Sequence, residues 1–441
     1  MKKRWIIGAT AVAILSVAVL AGCGNSSKGA SSSGDNNKNI KASITLADDK
    51  TDWASNGTWK KYIAEFNKEY PNIKVKEEAL NNYDQTEQTR MSSKNFGDVV
   101  MLPAAVAPKD YPAFFTSLGK TSALSKKYQG TSDRTYGGQQ YGLPSEMNAT
   151  GMLANMNVFK AAGIDSWPTT TADLIKDLQT IKAKEPGVIP LYTNYACGWA
   201  LVDWDFTRNA VSGNPNMDYQ ELANNTSPFS KGKTMYTIYD TLYQTAKDGL
   251  IDPDPTTDDW NTSVTDMAKN KVAVMVLGSW AVPQVQSQMK SGQANIKMEA
   301  FPQAAPNGKT YMLLGGDYNW AINKNSKSQQ ADRDLVDWLV NKSNFAKDNG
   351  GMSPVKGSKA PADFDLENGV KFIQSGTTPK AKADWFSNVN NTSQVGIGTT
   401  QTVKQQIIDA GDGSSKKSFS SIMSGLNASW GKAVKQYGYN K

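Results

Sequence analysis

Apolar positions along this chain fall into continuous runs in some places and into a helical period in others. Val272-Ala-Val-Met-Val-Leu277 is an uninterrupted apolar run rich in β-branched residues, which predicts a strand covered on both faces, as in a parallel sheet flanked by helices. Gly278 ends the run, Ser279 is placed to cap a following helix and Pro283 suits that helix's first turn. Trp280 therefore falls between the carboxyl end of a strand and the start of a helix, which is where ligands bind in open α/β sheets. Gly278 leaves room for close approach there, and an indole offers a flat apolar face with one N–H donor. The plain alternative is that Trp280 packs the helix onto the sheet.

The N-terminal third repeats strand and helix patterns in turn. Ile44 and Leu46 alternate with polar neighbours as in a first strand, and Trp59, Tyr62, Ile63, Phe66 and Tyr70 recur at helical spacing until Pro71 stops them. Ile73 and Val75 restart a strand, Tyr83 to Lys94 reads as a polar helix, and Asp98-Val-Val-Met-Leu102 is a short strand ended by Pro103. This β-α-β-α-β order predicts a parallel sheet with right-handed crossovers. Its loops at Asp52-Trp53 and Asn81-Asn82-Tyr83 follow strands and so fall on the ligand side.

Composition narrows the chemistry more than it narrows the fold. At 441 residues the chain is too long for one comfortable core and predicts two lobes. It contains no histidine, which excludes Ser-His-Asp and Cys-His catalysis. Zinc is equally disfavoured, because Cys197 would be its one soft ligand once Cys23 is spent. Lys2, Lys3 and Arg4 precede an apolar run from Trp5 to Leu20 and then Leu20-Ala-Gly-Cys23, the layout of an export signal over residues 1–22. Removing it takes three charges from the formal +7, leaving +4, too weak and dispersed to argue for nucleic acid. Cys197 then has no internal partner for a disulfide and reads as a small buried apolar group. Residues 23–40, Gly/Ser/Asn-rich after the cysteine, read as a flexible tether spanning about 20 Å on average.

The middle of the chain supplies ordered motifs. Tyr141-Gly-Leu-Pro-Ser-Glu-Met-Asn148 leads into Val158-Phe-Lys-Ala-Ala-Gly-Ile-Asp165, with Gly163 as a helix C-cap, and Thr171 is a candidate N-cap for a helix holding Leu174, Ile175, Leu178 and Ile181. Gly249-Leu-Ile-Asp-Pro-Asp254, Trp260, the Val272 strand with Gly-Ser-Trp, Leu314-Gly-Gly-Asp-Tyr-Asn-Trp-Ala-Ile322, a helix with Leu335, Trp338 and Leu339, and Gly350-Gly-Met-Ser-Pro-Val355 follow in order. This succession resembles the bacterial extracellular solute-binding proteins of sugar importers, the maltose/oligosaccharide-binding type, and Leu-Ala-Gly-Cys resembles the bacterial lipobox. One departure is Asn155-Met-Asn157 where Tyr-Asn-Lys is usual. Another is Met101-Leu-Pro-Ala-Ala-Val106 where maltose-type relatives carry an aromatic and charged groups, so maltose specificity is not carried over.

The resemblance implies an α/β fold of two lobes, type II in the periplasmic-binding-protein class, each a central sheet flanked by helices and joined by crossing hinge segments. It places one lobe at residues 41–147 plus 300–321 and the other at 148–299 plus 322–441, with Gly151, Pro302, Gly315 and Gly316 near the crossings. It further implies closure around a carbohydrate, presentation to an ABC-transporter permease, a monomer without cofactor or metal, and lipidation of Cys23 at the outer face of the cell membrane. The binding residues it suggests are Trp280, Asp317, Asn148, Asn194, Tyr195, Trp199 and Trp385, with Asp52, Trp53 and Tyr83 from the first lobe. A sugar site wants aromatic plates for ring faces and planar polar groups for hydroxyls, since an unpaired buried polar group costs about 1–3 kcal/mol.

Other readings stay open for the same residues. With twelve tryptophans most must be packing, and Trp260 and Trp338, on helical apolar faces, read as core. Asp252-Pro-Asp-Pro255 with Asp258 and Asp259 lacks the spacing and turn glycine of a calcium loop and reads as a proline-locked turn. A surface glycoside hydrolase or a glycan-holding adhesin would use a similar aromatic cleft, although no carboxylate pair stands out in the sequence.

Overall fold

The computed structural model describes residues 38–289, 295–366 and 369–439. The signal segment, Cys23 and the tether up to residue 37 lie outside the described residues. Twelve strands are described. They are β1 (Ala42–Asp48), β2 (Ile73–Ala79), β3 (Val99–Met101), β4 (Gly119–Lys120), β5 (Thr135–Tyr136), β6 (Gln139–Gln140), β7 (Leu143–Asn155), β8 (Ile189–Leu191), β9 (Val272–Gly278), β10 (Ile296–Glu299), β11 (Tyr311–Ile322) and β12 (Lys371–Ile373). The main sheet runs β2-β1-β3-β11-β7-β9-β8, with β10 joined to β7 and β12 to β11.

The first half of that order follows the alternation seen in the sequence. β1 pairs in parallel with both β2 and β3, and the helix Thr58–Glu69 between β1 and β2 turns Trp59, Tyr62 and Phe66 inward. At the other end β8 and β9 are parallel, and every residue of β9 is buried, as a run without polar interruption requires. The two middle strands make the sheet mixed rather than parallel. β7 and β11 pair antiparallel with each other from Leu143–Trp320 to Thr150–Leu313. Each is long enough to serve both ends: β11 pairs with β3 through Trp320–Ile322, and β7 pairs with β9 through Thr150–Ala154.

Packing separates along these long strands. Ile44, Leu46, Trp59, Phe66 and Trp320 share one core cluster, while Leu153, Met275, Leu277, Met298 and Met312 share another. The helix Gln329–Asn341, grouped with residues 148–299 by the sequence reading, places Leu335, Val336 and Leu339 in the cluster of β1 instead. Conversely Met312 and Leu314, from the 300–321 segment expected with the first lobe, pack with β9. The chain therefore changes sides within β11, near Gly315 and Gly316, rather than at its end. Beyond it, Met352 forms a bridge with Met147, and both side chains belong to the cluster of Leu153 and Met275.

Candidate functional site

A cavity of about 510 Å³ lies where the two packing regions face each other, and its walls come from both. On the first side, β1 ends at Asp48 and the short helix Thr51–Asn56 begins three residues later. This brings Lys50, Asp52 and Trp53 to the carboxyl end of a parallel strand. Trp53 is only 6% exposed because Trp59, Tyr62 and Phe345 surround it, with centroids 5.5, 5.0 and 4.9 Å away. Lys50 lies above it, with Nζ 4.7 Å from the Trp53 ring, 5.5 Å from the Tyr318 ring and donating to Asn349 Oδ1 at 2.8 Å. A cation pinned between two rings and an amide is fixed in place rather than waving in solvent.

The floor comes from the middle strands. Asp317 of β11 stands opposite Glu146 of β7 in the antiparallel register, and the Asn148 amide nitrogen donates to both, to Glu146 Oε1 at 2.9 Å and Asp317 Oδ2 at 3.0 Å. Asn148 is itself oriented by Ser279 Oγ, which donates to its Oδ1 at 3.0 Å. Burial, and next the neighbouring Asp317, push the Glu146 carboxyl well above its usual range. Asp317 is raised as well, mainly by burial. Tyr318 follows with φ +45°, a backbone region costly for a non-glycine residue and concentrated at functional sites.

The second side is aromatic. Trp280 starts the helix Ala281–Ser287 directly after β9, and the rings of Trp199, Trp260 and Trp280 form a closed triangle. Centroids are 5.1 Å apart for Trp199–Trp260 and 5.5 Å for each other pair. Trp199 is 48% exposed and the other two are half-buried. Trp260 lines an adjoining cavity of about 380 Å³ that shares Lys50, Asp52, Gln284 and Tyr318 with the first. Trp260 is thus not the core residue its apolar helix face suggested. It is the first residue of its helix, capped by Asp259, where a ring escapes the packed face.

Of the residues singled out in the sequence, Trp280, Asp317, Trp199, Asp52 and Trp53 line the cavity, and Asn148 lies directly beneath it. Four others do not come to it. Asn194 is buried with its amide against Met275. Tyr195 donates to Asp409 and packs on the core of the second side. Trp385 stacks on Tyr439 at 4.4 Å. Tyr83 is buried, its hydroxyl at 3.3 Å from the Ala47 carbonyl and 2.5 Å from that of Met101. Ser279 does not cap the helix as expected, because its hydroxyl is spent on Asn148 and the Ala149 N–H. The cap of the helix Thr171–Lys184 is Thr170, one residue before the expected Thr171.

Lys50, Glu146, Tyr318 and Trp260 were not among the suggested binding residues, although Glu146, Tyr318 and Trp260 lie within the ordered motifs and Lys50 stands two residues before Asp52. A comparable cavity of about 530 Å³ near Thr121 and Gln374 offers no free ring. Its tyrosine, Tyr128, is buried and donates to Asn341. The Asp252–Asp259 stretch holds backbone and threonine groups, with Asp252 accepting from Thr193 N and Oγ1.

The fold recurs in solved structures. The ABC-transporter binding protein BlMnBP1 of Bifidobacterium animalis subsp. lactis, in complex with mannobiose, is 32% identical, with 90% of this chain and 96% of that chain covered and a TM-score of 0.84. The manno-oligosaccharide-specific BlMnBP2 of the same organism, with mannotriose, is also 32% identical over 90% and 96%, with a TM-score of 0.82. The multiple sugar-binding protein of Streptococcus mutans is 24% identical over 77% of this chain and 79% of its own. Residues 50–344 match the family described as bacterial extracellular solute-binding protein. A cleft floored by strands that serve both halves of one sheet, matched in sequence over most of its length, makes this chain a member of the bacterial extracellular solute-binding protein family.

Proposed function

We propose that the chain binds an oligosaccharide between its two halves and passes it, unaltered, to an ABC importer in the membrane. The observation that carries this reading is the wall of three indoles, Trp199, Trp260 and Trp280, facing a floor of fixed carboxyl and amide groups. Sugar rings have apolar faces and hydroxyl rims, and that pairing of surfaces suits them. Two adjoining cavities leave length for more than one ring. Manno-oligosaccharides are the first candidates, because relatives at 32% identity hold mannobiose and mannotriose. Closure would bend β7 and β11 near Gly315 and Gly316, and Cys23 would carry the lipid that keeps the exported protein at the outer membrane face.

A hydrolytic reading has one observation in its favour, the Glu146–Asp317 carboxyl pair with Glu146 pushed well above the usual carboxylate range by burial and by Asp317. Its geometry argues the other way. Glycosidase carboxyls flank the scissile bond, whereas these two share a single amide nitrogen and occupy the same floor. The test is a thermal-shift and calorimetric panel of mannobiose, mannotriose, raffinose and maltotriose with product analysis by chromatography. A ligand at 100 times its dissociation constant adds about 2.7 kcal/mol of stability. Stabilisation by a di- or trisaccharide recovered intact supports the proposal; stabilisation by none of them, or shortened products, overturns it.

A further inference from the structure

Asp252–Asp259 is acidic and so far without a part in the cleft. We propose that Asp258 is a positioning residue for ligand binding, whose carboxylate ties the loop carrying Trp199 to the start of the helix carrying Trp260 and so sets the angle between the two plates. The proposal rests on the oligosaccharide reading above.

Trp199 is half-exposed, so its place depends on the backbone that leads to it. That loop, residues 194–198, begins and ends in left-handed conformations, at Asn194 (φ +56°) and Gly198 (φ +70°). Between them, Asp258 Oδ1 accepts the Ala196 N–H at 2.8 Å and the Cys197 N–H at 3.3 Å. The flanking aspartates act on the same unit. Asp252 accepts the Thr193 N–H at 2.6 Å just before the loop. Asp259 accepts the Thr262 N–H at 3.0 Å and starts the helix Trp260–Ala268. Asp258 thus sits between the two tryptophans in the covalent and the hydrogen-bonded sense, and their rings meet at 5.1 Å and 61°.

The loop is held from its other side as well. Gln405 Nε2 donates to the Tyr195 carbonyl at 3.0 Å, and Gln401 fills the space beside Gly198 that a Cβ would need. Both glutamines flank Lys404, whose ammonium is fully buried against Asp205 and accepted by the Thr400 carbonyl. These residues follow position 344, where the family match ends, so this half of the clamp is supplied by the chain's C-terminal part. The acidic and titratable groups around Asp258 are Asp252, Asp259, Tyr192 and Cys197. Burial, with Asp252 next, pushes the Asp258 carboxyl up to about 6, while Tyr192 and Cys197 are pushed up too.

The test uses Asp258→Ala, Asp258→Asn and, as a variant outside the aspartate stretch, Gln405→Ala. Mannotriose is the probe for affinity, and near-UV circular dichroism reads the Trp199–Trp260 coupling without ligand. The alanine at 258 is expected to lower mannotriose affinity at least tenfold and to change the near-UV spectrum. The asparagine, whose amide oxygen still accepts both N–H groups, should stay within threefold. Gln405→Ala should move in the same direction as Asp258→Ala. Unchanged near-UV spectra in folded Asp258→Ala and Gln405→Ala overturn the proposal. Should wild type bind no sugar while those spectra do change, the positioning role stands and the oligosaccharide reading falls.

Discussion

Trp280 lays its indole Nε1 in the space that a side chain on Gly278, two residues earlier, would fill. Gly278 pairs with Thr150 inside the sheet and has no left-handed backbone to excuse it. Its smallness serves the indole. Gly278→Ala is therefore expected to push the ring out of the cleft, with a stability cost of about 1–3 kcal/mol for overpacking and a loss of ligand affinity. In a Trp280→Ala background the same substitution should be nearly neutral. A double-mutant cycle by calorimetry and urea unfolding checks this, and additive effects would rule out the steric link.

The three indoles are anchored unequally. Trp280 is held by Gly278 and the helix start, while Trp199 protrudes furthest into solvent. Removing either ring should cost about 2 kcal/mol of binding, roughly thirty-fold in dissociation constant, because a ring face on sugar is buried apolar area. Folding stability should fall more for Trp280→Ala, which packs against the β9 core, than for Trp199→Ala. Calorimetric titration with mannotriose and thermal unfolding separate the two effects.

Charge in the cleft is expected to disfavour one class of ligand. Asp52, Glu146, Asp317 and Asp348 line the cavity with Lys50 as its single lining cation among the described residues, and that ammonium is already engaged by Asn349 and two rings. An acidic oligosaccharide would bring a carboxylate to groups that are acceptors or acids, which is discrimination by repulsion. Uronate-containing di- and trisaccharides should bind at least tenfold more weakly than neutral ones of equal length. Competition titration decides it. Neutral-sugar affinity should in turn be flat between low and high salt.

Much of the fold was legible because its elements are locally consistent. The Trp59–Phe66 helix, the β1-β2-β3 parallel unit and the β9 run each carry one clean period. The mixed sheet was less visible, since β7 and β11 look like ordinary strands and nothing in their residues announces that each serves two cores. Packing of Gln329–Asn341 onto β1 is likewise a tertiary fact, decided by which side β11 reaches at Ile322. In the site, strand-end logic found Trp280, Asp52 and Trp53, while Trp199 and Asp317 came from the ordered resemblance. Glu146 was hidden because a buried carboxyl in a strand is recognisable only once its partners Asn148 and Asp317 are seen beside it. Tyr83, Asn194, Tyr195 and Trp385 had the right chemistry and the wrong surroundings, each already satisfied by protein neighbours.

Asp48 closes β1 just before the cleft loop and is fully buried, accepting the Lys50 N–H at 2.7 Å and the Trp59 indole N–H at 3.3 Å on one oxygen. Burial pushes its carboxyl up to about 8, against an ordinary value of 3.8, with the two hydrogen bonds opposing. Between those pH values the folded chain keeps a proton that the unfolded chain has released. Its contribution to stability is therefore intact below about pH 4 and is lost as pH rises toward 8, a decline on the order of a few kcal/mol. Asp48→Asn keeps the accepting oxygen and has no proton to lose, so the variant's stability should lack this slope whatever its absolute level. Urea unfolding at pH 4, 6 and 8 reads the difference. Parallel curves for the two proteins would mean that Asp48 ionises at an ordinary pH, and that the β1 terminus carries a buried negative charge beside the ligand cleft.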